Sequence, residues 1–137
     1  MVALGEGTGP VYNQAAFRYF QALEMRRASR SSRRLLLVLV RIRGGNPPGA
    51  KLAPRTAAAV FSALRACVRE VDFVGWRRDG TVAAALLTLN SAATDTTRHK
   101  VCTRVLRGLE KRLPPKDLDR LVVRAIELGP PSQRQTR

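Results

Sequence analysis

Aromatic residues are scarce in this chain, with one Trp, two Tyr and four Phe in 137 residues. A core must therefore be assembled mostly from Leu, Val and Ala. Acidic residues are scarcer than basic ones, 10 Asp+Glu against 25 Lys+Arg, and the formal charge is +15. That balance points to a polyanionic partner or to an Arg-solvated surface. Long hydrophobic runs are missing. The longest, Leu35 to Val40, is far too short to span a bilayer. No basic n-region followed by an apolar stretch opens the chain, so no signal peptide is read, and the expected compartment is the cytoplasm. The two cysteines, Cys67 and Cys102, have neither metal-ligand nor redox spacing and read as buried thiols. The one histidine, His99, has no Ser, Cys or carboxylate partner identifiable by spacing, which leaves it a surface residue rather than a base.

What is present suffices for one compact domain, since 45% of the residues are hydrophobic. Residues 1–13 are Gly-rich and unpatterned and read as a flexible lead, 14–128 as the domain, and 129–137 as a polar basic tail. Within the domain, Gln14 to Ser29 has helical spacing and ends in Arg26, Arg27 and Arg30, where cations complement the dipole. Leu35 to Arg43 reads as a central strand covered on both faces. A Gly/Pro loop follows to Ala53. Pro54 then opens a helix to about Arg69, with Ala57, Val60, Phe61, Leu64, Cys67 and Val68 as its apolar stripe. Val71 to Trp76 reads as an edge strand, Arg77-Arg78-Asp79-Gly80 as a turn, and Thr81 to Leu89 as the hairpin partner. A polar segment offers caps for a helix from about Thr96 to Arg112, whose buried face is Val101, Cys102, Val105, Leu106 and Leu109. Pro114-Pro115 ends it, and Asp119 to Leu128 reads as the last strand.

The order is a helix followed by β-α-β-β-α-β. Two such crossovers make an α+β ferredoxin-like sandwich, an antiparallel sheet with helices on one face. That topology places its first and third strands centrally, and these are the two most apolar segments.

The run Phe17-Arg-Tyr-Phe-Gln-Ala-Leu-Glu-Met-Arg-Arg-Ala-Ser-Arg-Ser-Ser-Arg-Arg34 followed by Leu-Leu-Leu-Val-Leu-Val resembles the entry of GGDEF domains, the diguanylate cyclases. Arg69-x-x-Asp72-x-Val74-Gly75 through Val82-Ala-Ala-Ala-Leu-Leu87 resembles that family's RxxD segment, signature turn and following strand. By order of elements the likeness covers roughly Phe17 to Leu128. Set against the family's pattern, Arg41-Ile42-Arg43 stands where it carries a metal-binding Asp-Ile-Asp, and Arg78-Asp79-Gly80-Thr81-Val82 where it carries Gly-Gly-Asp-Glu-Phe. Two guanidiniums repel the Mg²⁺ that two carboxylates would hold, so the resemblance implies a domain with no catalytic residues, no metal and no cofactor.

Three functions then compete. The first is a regulatory module that binds a protein in signalling or assembly through the N-terminal helix and the edge strand, with Trp76 as an anchor. A homodimer through that helix is compatible with it. The second follows from the resemblance: cyclic di-GMP held by Arg69 and Asp72, with Arg65 or Arg78 adding charge, since Arg forks onto phosphate and Asp accepts from guanine. Arg69 as a solvated helix end and Asp72 as a strand pin is the structural alternative. Arg41 and Arg43, similarly, either hold an anion or are merely exposed. The third is nonspecific nucleic-acid binding through basic surface. The two central strands contain no aromatic for base stacking, so RRM-type readout is not expected and only salt-sensitive phosphate contact is left.

Overall fold

A computed structural model describes residues 10–31, 33–44, 49–69, 72–89 and 95–128. The first nine residues and the tail from 129, with the expectations placed on them, lie outside the described residues, as do Val71 and most of the polar segment before Asp95. The elements are β1 (Val11–Tyr12), α1 (Gln14–Ser29), β2 (Arg34–Ile42), α2 (Pro54–Cys67), β3 (Phe73–Arg78), β4 (Val82–Leu89), α3 (Asp95–Glu110), α4 (Pro115–Leu118) and β5 (Leu121–Leu128). One mixed sheet carries them in the order β1-β3-β4-β2-β5. Only the β1–β3 pair is parallel, with Val11 opposite Val74 and Tyr12 opposite Gly75. The last four strands of that order are the α+β ferredoxin-like arrangement, and β2 and β4 are central.

Strand β2 is apolar on successive residues, so both of its faces need cover. Leu36, Val38 and Val40 join Val60, Phe61 and Leu64 of α2 and Val105 and Leu109 of α3 in one core. Leu35 and Leu37 point the other way and meet Phe17 and Ala28 of α1. The sheet is therefore covered on both faces, not one: α1 supplies the second layer. Ala83, Ala84 and Ala85 of β4, all buried, keep the centre of the sheet thin enough for helices to approach from each side. The few aromatics are concentrated under α1, where Phe17 lies 5.1 Å from Phe73 and Tyr12 4.9 Å from Phe20, ring centre to ring centre.

Four expectations are corrected by packing. Val11 and Tyr12 form a strand paired with β3, although the Gly-rich lead to Asn13 carries no pattern. Strand β3 is consequently not the sheet's edge where β1 lies beside it. It also runs on to Arg78, with an irregularity between Trp76 and Arg78 that makes Arg77 an extra residue in the ladder, so Arg77 and Arg78 belong to the strand and not to the turn. Leu106, placed on the buried face of α3, is instead 37% exposed, since α3 buries Val105 and Leu109 and packs Val101 beside them. The short helix α4 had no sequence signal beyond its opening Pro115, which sits where a missing N–H costs nothing.

Gly75 makes the β1 contact possible. A Cβ there would lie 2.6 Å from the Tyr12 carbonyl oxygen and 3.0 Å from Phe17, and neither backbone nor a buried ring can retreat cheaply. Gly75→Ala is expected to cost about 1–3 kcal/mol in urea unfolding. An unchanged midpoint would show that β1 does not pack there.

Candidate functional site

The sheet end at the tip of the β3–β4 hairpin gathers cations. Arg41 of β2 and Arg78 of β3 flank the same residue, Val82. The Arg41 guanidinium donates to the Ile42 carbonyl (3.1 Å). Arg43 is exposed, and its backbone N–H donates to the Arg120 carbonyl at 2.6 Å. Burial, then Arg18 of α1, then Arg78 lower the pKa of Arg77 from its ordinary value. Lys51 passes the turn glycine, its side chain 3.8 Å from a Cβ built on Gly80, and the Leu52 N–H bonds the Gly80 carbonyl (2.9 Å). Gly80 has φ +77, which the turn requires and most side chains resist.

The turn's one carboxylate is engaged. Asp79 accepts from the Gln14 backbone N–H at 2.7 Å, while its own N–H donates to Gln14 Oε1 at 2.9 Å. This reciprocal pair caps the first turn of α1 from 65 residues away. It complements Asn13, whose Oδ1 accepts from the Ala16 N–H (2.9 Å). The carboxylate sits at the positive end of the helix dipole. Thr81 beside it is buried, and its hydroxyl oxygen has no hydrogen-bond partner among the described residues. No group of three or more His, Cys, Asp or Glu among the described residues lies close enough to hold a metal ion.

Arg69 and Asp72 do meet, in a circuit closed within the chain. The Asp72 side chain is fully buried and that of Arg69 is 61% exposed. Asp72 Oδ2 accepts from the Arg69 backbone N–H (3.0 Å) and from Nε (3.4 Å), and Oδ1 accepts from the Thr88 N–H (3.2 Å). A terminal nitrogen of the Arg69 guanidinium donates to the Thr88 carbonyl. Together they tie the exit of α2 to the end of β4. Asp72 points inward for this, which is why β3 begins after it. The other two residues grouped with them are elsewhere. Arg65 donates to the Pro10 carbonyl (2.9 Å) and holds the approach to β1. Arg78 lies at the far end of β3, about 17 Å along the strand.

Trp76 is half-buried, its ring 4.9 Å edge-on from Phe61 of α2. Burial pushes the Cys102 and Cys67 thiols up, and for Cys67 this acts against Arg104 and Arg112 nearby. His99 is exposed, at the rim of a groove between α2 and α3. That groove was not singled out from sequence, although Lys100, Arg104, Arg107 and Lys111 mark it at helical spacing. Replacing Asp72 with Ala strands the Arg69 and Thr88 N–H groups and is expected to cost about 2–3 kcal/mol, against about 1 kcal/mol for Arg69→Ala. Urea unfolding of the two variants checks the ranking. A neutral Asp72→Ala would contradict the clasp.

No protein-family model matches this chain, and no curated protein matches it in sequence. Solved structures do. The GGDEF domain of FimX from Pseudomonas aeruginosa superposes with TM-score 0.64 at 16% identity, over 96% of this chain and 83% of that one. The GGDEF domain of DgcB from Caulobacter crescentus, in complex with c-di-GMP, gives 0.59 at 16%, over 95% and 82%. The diguanylate cyclase SiaD from Pseudomonas aeruginosa, in complex with its activator SiaC, gives 0.58 at 17%; the likeness takes in 92% of this chain and 50% of SiaD. At such identities the likeness is one of architecture, and the strand order and helix placement agree with it. This chain has the fold of a GGDEF domain.

Proposed function

We propose that this chain is a catalytically inactive GGDEF-like regulatory domain, acting by protein–protein interaction in signalling or assembly. The observation that carries the reading is the use of Asp79. By resemblance, the end of β2 and the hairpin turn are where the family holds its metal, and phosphoryl transfer needs carboxylates there to bind Mg²⁺ and neutralise charge. Here the strand end offers Arg41 and Arg43, and the turn's one acid is spent capping α1. One of the similar proteins, the diguanylate cyclase SiaD, forms a complex with an activator protein, SiaC. On this chain the exposed face of α1, with Tyr19 at 60% exposure, is the surface assigned to the partner. A soluble, cytoplasmic setting suits this role, and no helix among the described residues is long and apolar enough to cross a membrane.

Cyclic di-GMP sensing is the second reading, favoured by the exposed guanidinium of Arg69 and by the ligand in the DgcB structure. Against it stand the full burial of Asp72 and the engagement of Arg65 with Pro10. The purified chain with GTP and Mg²⁺ or Mn²⁺ is expected to make no cyclic dinucleotide, and calorimetric titration with cyclic di-GMP to show no saturable heat. Turnover would overturn inactivity. Saturable binding abolished by Arg69→Ala would replace the protein-partner reading with the sensor.

A further inference from the structure

We propose that the groove between α2 and α3 is a binding site for the sugar–phosphate backbone of nucleic acid, held by charge and indifferent to base sequence. The inference is independent of the hairpin and of any protein partner on α1. The groove has a volume of about 600 Å³. Its floor is made of small residues, Ala63 and Ala66 from α2 and Gly108 from α3. The helices are close there, since a Cβ on Gly108 would lie 3.2 Å from that of Ala63.

Its wall is basic. Lys100, Arg104, Arg107 and Lys111 line it and recur at i, i+4, i+7 and i+11, one stripe about 16 Å long along α3 and the turn just after it. Arg112 joins them at the end, oriented by its own hydrogen bond to the Gly108 carbonyl (2.8 Å). Arg104 and Arg112 are near enough to Cys67 of α2 to draw its thiol pKa down against the larger effect of burial, so their charge reaches across to the other helix.

Among the described residues, no carboxylate lines the groove. Asp95 and Glu127 are engaged by Arg98, on a different side of α3. None of the five groove cations takes part in an ion pair among the described residues. A row of unneutralised charges in an open trough suits a linear polyanion, which gains affinity by releasing counterions.

The class of polyanion follows from what the lining lacks. An acidic peptide needs apolar pockets for its anchoring side chains, and among the described residues the apolar lining is Ala, Cys and Gly alone. Among the described lining residues there is no aromatic for base stacking, and no Asn, Gln, Asp or Glu for reading base edges. The sheet itself cannot serve as an RNA platform, because α1 covers the face that α2 and α3 leave free.

The test is fluorescence anisotropy of the full chain with labelled DNA duplexes of about 20 base pairs, in two unrelated sequences, from about 50 to about 300 mM salt. Arg104→Glu/Arg107→Glu/Lys111→Glu is compared with Arg26→Glu/Arg30→Glu/Arg33→Glu, which removes equal charge from another face. Circular dichroism confirms folding, and the triple Gln variant of the groove gives a milder second reading. We expect both sequences to bind alike. The groove variants should flatten the log–log salt slope by about 2 to 3, the Glu variant losing at least about 100-fold in affinity and the control under about fivefold. Equal losses in groove and control variants would overturn the site in favour of diffuse charge. So would absence of binding at low salt, a preference for one sequence, or tighter binding of a poly-Glu peptide through the same residues.

Discussion

Strand β2 is apolar on both faces, and most of this architecture follows from having to cover both. Ordinary crossover helices cover one face of such a sheet. Leu35 and Leu37 on the other face would be left in water, at roughly 25 cal/mol for each Å² of apolar surface, without α1. Helix α1 comes from before the first crossover and so needs its own attachments. Phe17 provides the apolar one, fully buried against Phe73 and β4. Gly75 lets the strand that leads into the helix sit against β3, and Asp79 caps the helix's first turn. One burial requirement thus reaches the hairpin tip and engages the acid that sits there. Fold and proposed loss of catalysis are linked through the double use of one turn.

The distribution of charge follows a comparable economy. Ten acids are shared among 25 bases, and several acids have structural tasks: Asp72 inside the clasp, Asp79 on α1, Asp95 and Glu127 on Arg98. Among the described residues, no acid lines the groove between α2 and α3. Its positive field is therefore what remains after the carboxylates are assigned to folding, rather than an even coat over the molecule.

Much of the fold was legible in order and type. Helix α1 begins and ends where the spacing and its basic end indicate, and β2, α2 and β4 lie within two residues of their expected positions. Strand β1 was illegible because two residues carry no period; it exists only through a glycine 63 positions later. The ends of β3 were misread for similar reasons, since Asp72 leaves the strand to reach Thr88 and the irregularity at Arg77 carries it past Trp76. At the candidate sites, Arg69 and Asp72 lie together, but sequence spacing does not tell a ligand-facing carboxylate from an inward one. Arg78 and Arg65 were grouped with them by charge alone, and distance along β3 and the bond to Pro10 separate them. The groove stripe is visible in the residue spacing of α3, but it does not stand out in a chain with Arg spread along its whole length.

The central claim is that the hairpin end holds no divalent metal because Asp79 is committed to α1. It is tested most directly by titrating Mn²⁺ into the isotope-labelled chain and following amide line broadening. The account predicts no selective broadening at Arg41, Ile42, Asp79, Gly80 or Thr81 at concentrations that saturate an ordinary carboxylate site, with the Gln14 amide unshifted. Selective broadening at those residues, accompanied by a shift of Gln14 as Asp79 lets go, would contradict it.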